Sequence, residues 1–118
     1  MYNTIKLWEN KKLENLSKEK DDAIIAIKVT DPTYATIREL KNSSPLMKDV
    51  ISLKNYTFSK EITEEIAKTR ADYAKRAEDI HTKASELIML VSDADSYENA
   101  KALAVAYGVI NDNGTINL

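Results

Sequence analysis

An all-α fold is what this sequence predicts, and three observations predict it. Two Gly and two Pro in 118 residues leave few turns for a many-stranded sheet. Apolar residues recur at helical spacing along the whole of residues 59–92. Both prolines follow a residue that can cap a helix, in Asp31-Pro32 and Ser44-Pro45, and proline's fixed φ suits the first helical position.

Taken in order, residues 1–30 read as helix. Ile5, Trp8, Leu13, Leu16, Ala23, Ile24 and Ile27 fall within half of a helical wheel. The polar run Ser17-Lys18-Glu19-Lys20-Asp21-Asp22 leaves two readings open. One helix passes through it, or a break occurs and Asp21 or Asp22 caps a second piece. The β-branched segment from Ala23 to Val29 would suit a buried strand, but no similar run lies near enough to pair with it, so helix is expected.

The two proline devices predict short helices near 32–41 and 45–55, the second with an apolar face of Leu46, Met47, Val50, Ile51 and Leu53. Ser59 is an expected N-cap, with Phe58 as a hydrophobic staple behind it. Glu61, Glu64 and Glu65 then sit at the positive end of the helix dipole. From 59 the long helix runs to Ser92, about 50 Å at 1.5 Å per residue. Ser96 is expected to cap a last helix, 97–107, closed by Gly108 as a left-handed cap. Its stripe is Ala100, Leu103, Ala104 and Tyr107. The organisation expected is one helical domain, 1–108, then an irregular tail, 109–118. There Asn113-Gly114 signals a type I′ turn and a small hairpin.

The long helix carries the main interaction signal. Ile66, Tyr73, Ile80 and Leu87 fall seven apart, and Ala77, Ala84 and Val91 follow four after their neighbours, with Arg70 at the remaining seam position. Such a stripe resembles a coiled-coil seam weakened by small residues. A compact domain this size has a radius of gyration of ~13–14 Å, so its diameter is shorter than the helix. The N-terminal helix, as an antiparallel hairpin, would cover part of the overhang and a second copy, in a homo-oligomer with a dimer favoured, the rest; the contrary reading is a monomeric bundle whose stripe is ordinary core.

Composition excludes several chemistries. No cysteine means no disulfide, thiolate metal site or cysteine nucleophile, and fits a cytoplasmic protein. The N-terminus has no signal-like apolar core, and no stretch reaches the ~20 apolar residues of a membrane span. With two glycines there is neither a nucleophile elbow nor a phosphate-cradling loop. Charge is mildly polarised. Residues 1–20 hold five Lys against three Glu, or +2, while residues 93–118 hold four acids against Lys101, or −3. That gradient can steer subunits head to tail, although such gradients are usually just solvated faces.

Three weaker constellations remain. Glu78 and His81 form an E-x-x-H whose members share a helical face and can reach one metal, as in di-iron bundles. The site would need further carboxylates, from Glu39 or a first-helix Glu, and the chain has one His. Glu61, Glu64 and Glu65 invite a magnesium site, yet the helix dipole accounts for them. Lys6, Lys11, Lys12, Lys18 and Lys20 with Trp8 and Tyr2, and Arg70 and Arg76 on the long helix, invite nucleic acid. Interleaved Glu9, Glu14 and Glu19 argue against it.

The leading expectation is therefore a non-catalytic interaction or assembly protein (adaptor, inhibitor or small chaperone) without a cofactor. Richness in Ile, Lys, Asn and Tyr suggests a phage or mobile-element origin. The alternatives are a nucleic-acid-associated regulator and a metal-dependent helical enzyme using Glu78 and His81.

Overall fold

Among the described residues five helices form, and four of them start directly after an expected cap residue, Asp31, Ser44, Ser59 or Ser96. The computed structural model describes residues 1–50 and 52–118, with the side chains of all of these except 48–50. The helices are α1 (Tyr2–Lys28), α2 (Pro32–Ser43), α3 (Pro45–Val50), α4 (Lys60–Ser92) and α5 (Tyr97–Ala106). Among the described residues there is no strand, and the fold is all-α, the long N-terminal helix packing on the long α4.

Of the two readings left open for α1, the unbroken helix holds. Lys and Glu are good helix formers and no Gly or Pro intervenes, so the polar run stays helical and is simply solvated. Ile24 is buried and Ile25 and Ile27 are half-buried, so burial outweighs the β-branched preference for strand.

Backbone contacts divide the chain into two compact units, one made of Met1–Lys18 with Tyr73–Leu118 and the other of Glu19–Asp72. In the second unit Asp31 is the organising residue. One carboxylate oxygen accepts from the amides of Thr33 (3.0 Å) and Tyr34 (3.1 Å), capping α2, and the other accepts from the Tyr56 hydroxyl at 2.9 Å. Burial, then that hydrogen bond and the Asp31 charge, push the Tyr56 phenol above its ordinary value. Phe58 packs on Tyr34 and Tyr56, with centroids 5.0 and 4.9 Å away, so it clasps an aromatic trio where a staple was expected. Ser59 caps α4 through the Ile62 amide, at 3.3 Å.

Asp31→Ala is expected to cost about 1–2 kcal/mol, and Asp31→Asn less, because Asn can still cap. Urea melts of the two variants check this order.

α3 ends at Val50, several residues short of the expected 55. Leu53 O instead accepts from Tyr56 N in a turn. Leu46 is 79% exposed, so the expected apolar face is open there. The Val50 side chain and Ile51, also assigned to that face, lie outside the described residues.

The first unit holds a core of Ile5 and Trp8 from α1, Ala84 and Leu87 from α4, Ala104 from α5, and Val109 and Ile110 beyond it. Those last two are buried because of how α5 stops. Gly108 takes φ +75°, its amide reaches Val105 O (3.0 Å), and the Val109 amide reaches Ala104 O (3.0 Å). This is a Schellman cap, and its hydrophobic pair, Ala104 with Val109, lies in the core. Gly108→Ala forces a Cβ into the left-handed region and is expected to cost about 1–2 kcal/mol by thermal melting.

The tail returns as a small hairpin with one antiparallel bridge, Ile110 to Ile116. Its turn differs from the expected type I′, which needs positive φ at two central residues. Only Gly114 has one here, at +88°, and Gly114 N donates to Asn111 O at 2.9 Å. The result is a three-residue loop with glycine in the left-handed place.

Candidate functional site

The inward residues of α4 repeat on a straight-helix period. Ile62, Ile66, Thr69, Tyr73, Ala77, Ile80, Ala84, Leu87 and Val91 are all half-buried or buried. Eight steps carry this row over the residues from Ile62 to Val91, about 3.6 residues per step, the period of an unsupercoiled helix. Heptad spacing holds from Ile66 to Tyr73 and again from Ala77 to Ala84, but between Tyr73 and Ala77 the row takes an extra step of four. Arg70, placed at a seam position by strict heptad counting, is exposed, and Thr69 stands in the row in its place.

Within the first unit this row is occupied by the chain itself. Ala84 and Leu87 belong to the core, and Ile80 and Val91 pack against it. Tyr73 is half-buried and carries the Arg76 guanidinium 4.7 Å from its ring centroid. Ala84 and Leu87 have no exposed surface here.

The most unusual polar group is Glu9, only 3% exposed. One oxygen accepts from Lys6 Nζ at 3.0 Å and the other faces His81 Nδ1 at 2.7 Å, joining α1 to α4. Burial pushes the Glu9 carboxyl up more than any other single influence. The Lys6 and His81 bonds and charges together outweigh it and hold the group below its ordinary value. An ionised carboxylate only accepts, so His81 Nδ1 carries the hydrogen and the ring's tautomer is set.

The same pair draws Lys6 above its ordinary value, chiefly through the Glu9 hydrogen bond. Trp8, next to Glu9 in the chain, is buried with its indole N–H lacking a partner among the described residues, and Lys83 Nζ lies 5.8 Å from its ring centroid. This cluster is a structural clasp.

His81 therefore spends its ring on Glu9, a first-helix glutamate 72 positions away, and Glu78 is exposed. No group of three metal-ligating side chains gathers among the described residues. Glu61, Glu64 and Glu65 are exposed on the first turns of α4, and Lys60 pairs with Glu64 at 3.8 Å. The N-terminal lysines are partly committed as well, since Lys6 serves Glu9, Lys11 pairs with Glu14 at 3.7 Å, and Lys12 reaches Leu118 O at 3.4 Å.

A different surface emerges at the end of α4. Leu90, Asp93, Ala94 and Asp95 face Asn99, Ala102, Leu103 and Ala106 of α5 across an open groove of about 540 Å³. Small side chains make it. The alanines of α5 give a short, smooth wall, and Leu90 is left 41% exposed at its edge. Carboxylates line the rim, Asp93 and Asp95 on one side. Glu98, Lys101 and Asp112 border a smaller depression that shares Ala102. Sequence reasoning assigned Ala100, Leu103 and Ala104 to packing but had no signal for this groove. It depends on Leu90 falling outside the inward row.

No helix among the described residues is long and apolar enough to cross a membrane. No protein-family model, curated protein or solved structure matches the chain.

Proposed function

We propose that this protein is a non-catalytic interaction or assembly module, an adaptor, inhibitor or small chaperone in type. It takes a helical segment of a partner chain into the α4/α5 groove. The carrying observation is that groove, an apolar trough with Leu90 at its edge and carboxylates on its rim. Burying exposed leucine and alanine surface contributes about 25 cal/mol per Å², and the acidic rim selects a basic partner. Alanine walls let a helix approach closely, as helix-in-groove recognition requires.

A photo-crosslinking residue at Leu90 tests this in the source cells, with one at the exposed Ser85 as control. The expected result is adducts of defined mass from position 90 and none from position 85. Equal, diffuse labelling from both positions, or none from either, would overturn the reading.

A further inference from the structure

Resting on that reading of the groove, we infer that its occupant is a second copy of this chain, which inserts the outward face of its α1. Leu7, on the side of α1 turned from the core, is 46% exposed. Lys11 and Lys18 stand four and eleven positions further on, along the same face, and both are exposed. Glu14 shares that face and is ion-paired with Lys11. An apolar knob flanked by lysines is thus presented by the same unit that carries an apolar trough flanked by carboxylates.

The charges agree over both segments, +2 across residues 1–20 and −3 across residues 93–118. Lengths agree too. The ten residues of α5 span about 15 Å, and Leu7 to Lys18 spans about 16 Å at 1.5 Å per residue.

The symmetry of the contact follows from the same charges. A two-fold contact of groove on groove would bring the Asp93 and Asp95 rims of the two copies together, which like-charge repulsion disfavours. Groove against α1 pairs opposite signs instead. Such a contact is heterologous: a joined pair keeps one free groove and one free α1 face, so assembly proceeds to chains or rings. A single helix in a shallow trough is a small interface, at the weak end of specific contacts. The association should therefore build up with concentration and weaken with salt, as the screening length shrinks from about 10 Å at 0.1 M to 3 Å at 1 M.

Light scattering and sedimentation of the purified chain test this with two double variants at exposed positions. Leu90→Lys with Asp95→Lys spoils the groove and leaves α1 intact; Leu7→Ser with Lys11→Ser spoils α1 and leaves the groove intact. The wild type is expected to gain mass with concentration at low salt, and each variant alone to stay a monomer. Mixed together, the two variants should form a complex of one copy of each and nothing larger, which also shows that both are folded. A wild type that stays monomeric throughout, or an oligomer that both variants retain, or a mixture that fails to pair, overturns the inference. Crosslinks from Leu90 to a different protein alone would leave the docking groove standing and remove the second copy as its occupant.

Discussion

Leu87→Ala is expected to cost about 2–5 kcal/mol, the range for emptying a fully enclosed leucine site. Leu87 has no exposed surface and is surrounded by Ile5, Trp8, Ala84, Ala104, Val109 and Ile110, which come from three helices and the segment after α5. Backbones that hold each other this way cannot all close on the vacated volume, so part of it remains as a cavity. At roughly 4 °C per kcal/mol for a chain of this length, the midpoint should fall by about 8–20 °C. Met89, two residues along the same helix, is 70% exposed, and Met89→Ala should change stability by no more than about 0.5 kcal/mol. Thermal melts of the pair decide the matter. Equal effects would mean that α4 does not present this face to the core.

The second large effect is an asymmetry around Glu9. His81→Leu leaves a buried carboxylate short of one partner and is expected to cost about 1–3 kcal/mol, and Lys6→Met lowers stability in the same direction. Glu9→Leu should cost less than either. It removes the buried charge itself, and the side chains of Lys6 (38% exposed) and His81 (64% exposed) return to water.

The pH dependence has a definite sign. Folding lowers the Glu9 value below 4.5, so the folded chain binds that proton more weakly than the unfolded chain. The stabilisation is complete above 4.5 and is lost as pH falls through the lower folded value. The wild-type advantage over Glu9→Leu, followed by urea melts across that range, should therefore shrink on acidification. An advantage that grew as pH fell would contradict the clasp.

Much of the fold is legible because caps are local. Asp31-Pro32, Ser96 and Gly108 each act within a few residues, and the structure places a helix end at each. The polar run at 17–22 was ambiguous because its solvated residues carry no periodic signal, and only propensity favours helix there. The heptad count misplaced Arg70 because seven-residue and 3.6-residue periods agree over two turns and part over eight. Glu9 was illegible for a different reason. Among Lys6, Lys11 and Lys12 it reads as one more surface charge, and no sequence signal links it to a histidine 72 positions on. The α4/α5 groove was hidden likewise, since an alanine marks a core or a trough depending on what stands opposite it.

The position of Trp8 has an optical consequence. It is the chain's one tryptophan and sits in the core with Leu87 and Val109, so its emission reports the state of that unit alone. Far-ultraviolet dichroism sums over all five helices, including those of the segment Glu19–Asp72. Overlaying the two signals through one melt measures whether this small protein comes apart in a single cooperative step or in two, with no label added.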